Sequence, residues 1–257
     1  MMKKPPEISV VIPTYNEEKR GIKKNLAVVV GFLESENYDY EVIAADDGST
    51  DGTVAVVEKF AQDKERVRIL KLPHRGKGPA VRDGMLDAKG KYILFSDADM
   101  ATPIEELKRL LNWVEGQGFD LAIASREGIG AQRENEPWYR HFLGRGFNFL
   151  VKLIALRGIE DTQCGFKLFK AAAAKEILKR LKIYGEEETE ELTTPYLGAF
   201  DVEILFLAQK LGYKIKEVPV TWHYAATQQL DPIKDSLRMA RDVLMVRLND
   251  LRGMYEK

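Results

Sequence analysis

The chain has a single cysteine, Cys164, among its 257 residues, so no internal disulfide can form and a reducing compartment fits. No apolar run approaches the roughly 18–20 residues that span a bilayer. The early stretch Ile8–Ile12 is too short for the core of a signal peptide. Excess charge of one sign is missing too. The 39 Lys and Arg against 40 Asp and Glu leave a formal net charge of −1, which argues against the broad basic surface of a nucleic-acid binder. Histidine is scarce: His74, His141 and His223 lack metal-ligand spacing and read as structural or surface residues. Gly76-x-Gly78 lacks the spacing of a dinucleotide fingerprint or a phosphate loop, so neither NAD nor ATP chemistry is supported. There is no internal repeat and no low-complexity linker. These absences leave a soluble or peripheral protein, expected in the cytoplasm or at the cytoplasmic face of a membrane.

What is present is alternation. Short β-branched runs at Ser9–Ile12, Glu41–Ala45, Val67–Leu72, Tyr92–Phe95 and Leu121–Ala124 are separated by helical patterns. One such pattern places Ile22, Leu26, Val29, Val30 and Leu33 on one face; another carries Val54, Val57 and Phe60. The order predicts an α/β fold with a mostly parallel sheet covered on both faces, whose ligands bind at the C-terminal edge of the strands. Beyond Arg126 the pattern changes. A polar loop is expected over Glu127–Pro137, helices over Arg140–Leu156 and Asp201–Leu211, a solvated acidic loop over Gly185–Glu191 and a strand over Lys214–Thr221. Ile233, Leu237, Ala240, Leu244, Leu248 and Leu251 mark a last amphipathic helix. The simplest division is a catalytic domain over residues 1–225 and a C-terminal extension over 226–257, a membrane-interface or oligomer contact.

Three acidic clusters fall just past predicted strand ends: Asn16-Glu17-Glu18, Asp46-Asp47-Gly48-Ser49 and Asp97-Ala98-Asp99. A parallel sheet gathers them on one rim, and so much negative charge in one cleft calls for a cation. Residues i and i+2 at a strand end point the same way. Asp97 and Asp99 can therefore face one metal and the diphosphate it neutralises. Asp51 reads as a helix cap.

These motifs, with Val11-Ile12-Pro13-Thr14-Tyr15 and Gly76-Lys77-Gly78, resemble the family 2 glycosyltransferases. The resemblance implies a GT-A (Rossmann-like) fold, a nucleotide-sugar donor and Mg²⁺ or Mn²⁺. It places nucleotide contacts at Pro13, Tyr15, Glu17, Asp46, Asp47, Lys77 and Asp97. It makes Asp99, with Asp97, the metal site, and Asp99, Asp97 and Arg126 the catalytic group. A second set is similar to the dolichyl-phosphate β-glucosyltransferase branch: Asp161-Thr162-Gln163-Cys164-Gly165-Phe166, Phe200-Asp201-Val202-Glu203 and Glu217-Val218-Pro219-Val220-Thr221-Trp222. It implies UDP-glucose as donor, a polyprenyl phosphate acceptor, and acceptor contacts at Arg140, Asp161, Gln163, Asp201 and Glu203.

The chain departs from that branch at Gln228-Gln229, where a Ser-Lys pair is usual, and Arg126, Arg133, Arg140 and Arg145 are candidates to replace the lost charge. Cys164 has no paired base and reads as packing. Three readings stand at this point: transfer to a polyprenyl phosphate (from UDP-glucose or GDP-mannose), transfer to a glycan or lipid hydroxyl, and sugar-nucleotide binding without turnover. A phosphate acceptor is already ionised near neutral pH because its second pKa is about 6. Asp161, Asp201 and Glu203 would then serve only to order the acceptor loop. A hydroxyl acceptor would need one of them as general base.

Overall fold

The structure is a computed structural model that describes residues 5–135, 154–185, 198–224 and 232–256, together with Gly146 and Val151. Its centre is a seven-stranded sheet built from β1 (Ile8–Thr14), β2 (Tyr40–Asp47), β3 (Val67–Leu72), β4 (Tyr92–Ser96), β5 (Leu121–Ser125), β7 (Phe166–Lys170) and β8 (Ile215–Pro219). The spatial order is β3-β2-β1-β4-β7-β5-β8, and every pairing is parallel except those of β7. A two-stranded parallel ribbon, β6 (Gln132–Glu134) with β9 (Thr221–His223), stands beside it.

β1 is buried along its whole length, as a central parallel strand must be. Its side chains alternate: Val11 enters one core cluster while Ile8, Val10 and Ile12 enter the other. The second cluster is closed by α1 (Ile22–Ser35), α2 (Thr53–Gln62) and α4 (Leu107–Leu111), which continues through a wider turn over Asn112–Gly116. The first is closed by α3 (Lys77–Asp87), α5 (Ala171–Lys179), α6 (Phe200–Lys210) and α7 (Pro232–Leu251). Every residue from Phe200 to Ala208 is buried, so α6 is an interior helix. Val243, Val246 and Tyr255 of the C-terminal segment join that same core, so the inner face of α7 is part of its packing.

The first five strands and the helix carrying Ile22 to Leu33 form where the periodicity predicts them. The second half departs from it. Phe166–Lys170 is a full strand, inserted antiparallel between β4 and β5, with Ser96 opposite Phe166. The Lys214–Thr221 run breaks after Pro219: Ile215–Pro219 stays in the main sheet, and Thr221–His223 pairs with Gln132–Glu134, within the expected loop. Proline lacks the N–H that would extend the ladder, so a strand tends to end there. Of the helix expected over Arg140–Leu156, only Gly146, Val151 and Ile154 are described as helical, and Val151 is buried. Most of that helix, including Arg140 and Arg145, lies outside the described residues, as do His141, Gln228-Gln229 and the acidic run beyond Gly185.

The close packing of α3 on β1 and β2 rests on Gly84. A Cβ there would stand 2.6 Å from Val11 Cγ1 and 3.0 Å from Ala45 Cβ. Gly84→Val is therefore expected to lower stability by about 1–3 kcal/mol through overpacking, read as a lower urea midpoint at unchanged slope.

Candidate functional site

The C-terminal ends of β1, β2 and β4 deliver the three acidic clusters to one rim, as the parallel register requires: Thr14 lies opposite Asp46, and Val11 opposite both Ile43 and Phe95. The β1 and β2 ends are knitted together by polar bonds. Asn16 Oδ1 accepts the Thr50 and Asp51 N–H groups at 2.9 and 3.2 Å, and Thr53 Oγ1 accepts from Glu17 N at 2.7 Å. Asp51 accepts the Thr53 N–H at 2.9 Å from one residue before Gly52, which is the N-cap of α2 in place of the expected Asp51. Asp46 is buried, its carboxylate held by Ser49 N, Ser49 Oγ and Thr14 Oγ1, so it shapes the turn from inside.

Asp47 is also buried and fully engaged. Its Oδ1 accepts Arg75 N at 2.8 Å, its Oδ2 accepts Gly76 N at 2.9 Å, and His74 Nδ1 lies 2.8 Å from Oδ2. Gly48 (φ +71°) makes this possible: a Cβ there would approach His74 N within 2.9 Å. The His74 ring stacks on Tyr15, centroids 4.2 Å apart and planes 7° from parallel. His74 thus has a structural place, its ring lying against Asp47 and Tyr15, two residues expected to hold the nucleotide. The one available signal was its place two residues past β3 and two before Gly76; isolated histidines carry no spacing to recognise.

Around Asp97 and Asp99 the charges alternate. Lys77 Nζ, at the start of α3, is 2.6 Å from Asp97 Oδ1 and 5.5 Å from the Phe95 ring centre. Burial alone would lower the Lys77 pKa, but Asp97, Asp201 and Asp99 raise it above the usual lysine value. The Asp97 N–H donates to Gly165 O at 2.9 Å, and the Asp97 carboxylate lies where any Gly165 side chain would begin. Asp99 Oδ1 accepts the Ala101 N–H at 3.0 Å. Burial, and next the charge of Asp97, push the Asp99 carboxyl above its ordinary range. Burial likewise raises Glu17, partly offset by Arg20, whose guanidinium is 3.0 Å from Glu17 Oε1 and whose charge is also felt at Asp99. Arg20 is a further rim residue that the motifs did not single out.

This carboxylate group fits a divalent cation. Asp97 and Asp99 offer hard oxygen donors, and their mutual repulsion is what a 2+ charge offsets. Among the described residues no three His, Cys, Asp or Glu side chains form a ready metal cage. A pair of carboxylates that needs a phosphate-bearing ligand to complete the coordination suits Mg²⁺ or Mn²⁺ better than a protein-only site.

The acceptor-side residues divide sharply. Arg126, just past β5, grips Asp161 through Nε at 2.7 Å and NH2 at 2.9 Å while its N–H donates at 2.9 Å. Asp161 is fully buried and Arg126 18% exposed, over the Trp222 ring at 5.3 Å. Glu217 of β8 in turn accepts the Glu160 and Asp161 N–H groups at 2.9 and 2.8 Å. That explains why Asp161 and the Glu217–Trp222 segment appear as linked motifs. Arg133 donates to Arg126 O at 2.9 Å and to Glu127 at 2.7 Å, bracing the same loop. Gln163 lies nearby, its amide 3.8 Å from Met239 Sδ of α7.

Asp201 and Glu203 sit deeper than an acceptor contact requires. Buried Lys167 donates to Asp201 Oδ1 at 2.5 Å and to Cys164 O at 2.6 Å. Glu203 accepts the Lys182, Ile183 and Tyr184 N–H groups and the Tyr255 hydroxyl. Its expected acceptor contact is corrected to a structural one: α6 turns this side chain into the interior, where it ties the 182–184 loop to the C-terminus. Burial pushes the Cys164 thiol up to about 12, consistent with packing.

The family described as Glycosyl transferase family 2 matches residues 9–178. The dolichyl-phosphate beta-glucosyltransferase of Drosophila melanogaster is 39% identical, over 97% of this chain and 77% of its own. That of Saccharomyces cerevisiae is 38% identical, over 96% and 76%. Among solved structures, Mycobacterium tuberculosis glucosyl-3-phosphoglycerate synthase, in complex with Mn²⁺, UDP-glucose and glycerol 3-phosphate, superposes with a TM-score of 0.62 at 20% identity. The alignment covers 96% of this chain and 80% of that one, and the likeness is one of fold. The chain therefore belongs to glycosyl transferase family 2, a GT-A-fold hexosyltransferase related to the dolichyl-phosphate beta-glucosyltransferases.

Proposed function

We propose that this enzyme transfers glucose, with inversion, from UDP-glucose to the phosphate of a polyprenyl lipid of the dolichyl type. The observation that carries the acceptor assignment is the state of the acceptor-side carboxylates. Asp161 is bonded to Arg126, Asp201 to Lys167, and Glu203 to backbone amides and Tyr255. A hydroxyl acceptor needs a carboxylate within reach of its proton. A phosphate brings an oxygen that is already anionic. The names of the relatives and the UDP-glucose complex of the fold neighbour support the same reading.

In this mechanism Tyr15, Pro13, Glu17 and the Asp47–His74 pair bind the nucleoside end of the donor. A divalent ion at Asp99 and Asp97, when bound, supplies Lewis-acid neutralisation of the leaving diphosphate. Lys77 adds a second positive charge at the same place. Its ammonium is held at the rim by Asp97 and flanked by Phe95 and Phe200, where a low-dielectric wall strengthens its field. Arg126 holds the acceptor phosphate. The bidentate pair with Asp161 fixes the guanidinium plane, and the Trp222 ring beneath it removes one side from water. Arg140 is proposed to assist there, and Gln163 to position the Arg126 loop.

A radiolabelled UDP-glucose assay with a short-chain polyprenyl phosphate tests the reading. The expected outcome is a lipid-linked product whose rate rises with pH as the acceptor loses its second proton, near pH ~6. Asp99→Asn and excess EDTA should each nearly abolish turnover with little change in thermal midpoint. Transfer only to glycan hydroxyls, or full activity in EDTA, would overturn the acceptor or the metal assignment respectively.

The Arg126–Asp161 pair makes a separate prediction about stability. Burial alone would raise the Asp161 pKa, but the Arg126 charge and its N–H donors hold it below the ordinary carboxylate range. A depressed folded value stabilises the protein above the unfolded pKa of about 3.9 and loses that contribution as pH falls through the folded value. Asp161→Asn should cost about 3 kcal/mol at pH 7 by urea unfolding. The gap from wild type should shrink once the pH drops below about 4.

A further inference from the structure

α7 has two faces of opposite character. Asp242, Val243, Val246 and Asn249 are buried, and Asp250 is largely so, paired with Lys210 and Arg247. Asp242 and Asp250 are the only acids between Leu237 and Arg252. The other face presents Leu237, Leu244, Leu248 and Leu251, which are 68%, 50%, 42% and 70% exposed. At about 100° per residue these four fall within an arc of roughly 60°. Arg238, Arg241 and Arg252 are exposed along one margin of the arc, and Arg247 along the other. Exposing four leucines in line opposes the hydrophobic effect unless something covers them.

We infer that this face of α7 docks on an anionic lipid bilayer, with the leucines at the headgroup–acyl boundary and the arginines among lipid phosphates. The inference rests on the lipid-acceptor reading above and adds the surface through which the enzyme meets its lipid. Two observations favour a bilayer over a second copy of the chain. Arg241 falls between Leu237 and Leu244 at heptad spacing, so in a helix–helix seam it would sit at a core position, where an unpaired charge is costly. At a bilayer surface its long stem lies along the leucines while the guanidinium reaches the headgroups. The second observation is continuity with the active site. Met239, on the inner face of α7 opposite the stripe, packs against the core and touches Gln163, two residues from the Asp161 that holds Arg126. A helix lying on the membrane by its leucine face would thus hold the Asp161–Gln163 loop one helix diameter, roughly 10–12 Å, above that face. No helix among the described residues is long and apolar enough to cross the bilayer, so surface docking is the mode available to this helix.

The test uses the full chain with vesicles of phosphatidylcholine alone or with about one-third phosphatidylglycerol, by co-sedimentation without acceptor. Binding to the anionic vesicles at low salt, weakened at high salt as screened charges require, is the expected result. Leu244→Ser with Leu248→Ser should cut the bound fraction at least tenfold. Arg241→Gln with Arg252→Gln should do so by about fivefold per residue at low salt only. All four sites are exposed, so thermal midpoints should stay near wild type, and a variant that does not fold is replaced by the other pair. Both variants should keep wild-type turnover on a short-chain acceptor in detergent and lose it on a long-chain acceptor embedded in vesicles. Wild type remaining in the supernatant at low salt overturns the inference, as does a dimer that dissociates in the leucine variant without vesicle binding. Vesicle binding with no glucosylated lipid from either acceptor would leave the docking intact and overturn the acceptor reading instead.

Discussion

The pairing of Lys77 with Asp97 is the interaction on which the site depends. A parallel sheet that brings three acidic strand ends to one edge accumulates charge the fold must tolerate before any donor arrives. Lys77 provides the tolerance: its ammonium is 2.6 Å from Asp97 and feels Asp99 and Asp201 as well. It enters at the first residue of α3, after Gly76, whose φ of +97° lets the chain turn from β3 into the helix. The backbone N–H groups at that same turn satisfy Asp47. One turn thus fixes the Asp47 carboxylate and the Lys77 ammonium together.

Behind it stands a second layer of buried carboxylates held by partners inside the protein. Lys167 with Asp201, Arg126 with Asp161, and Glu203 with the 182–184 amides each bury a carboxylate against a donor. Such pairs add little net stability compared with apolar packing, yet breaking one leaves a buried charge alone. Their effect here is positional. They set the loop over Asp161–Gly165 against Asp97 on one side and α7 on the other.

The donor half was legible in the sequence because its chemistry is local. Strand, turn and helix follow one another within a few residues, and each acidic cluster sits beside the β-branched run that places it. Tyr15, Lys77, Asp97 and Asp99 stand in motifs that spacing and resemblance single out, and the parallel register gathers those motifs at one rim. The acceptor half was legible only as motifs, because its contacts are distant: Lys167 meets Asp201 across 34 positions and Tyr255 meets Glu203 across 52. Phe166–Lys170 alternates no more clearly than its neighbours, since a strand walled in by two others is buried on both faces. The partners of His74 could not be read from sequence because its stack on Tyr15 forms only once β2, lying between β1 and β3, brings their ends to one rim.

The antiparallel strand β7 has a consequence for recombination within the family. It is hydrogen-bonded to β4, which leads into Asp97 and Asp99, and to β5, which leads into Arg126. Its leading residue follows Gly165, whose missing side chain leaves room for Asp97. The donor and acceptor modules therefore share a structural member, and the chain offers no clean seam between them. A hybrid joined anywhere from Arg126 to Cys164 would draw its carboxylates from one parent and the strand that accommodates them from the other. Exchange of acceptor preference between relatives is better sought at the C-terminal side of α5, where both partners of β7 travel with it.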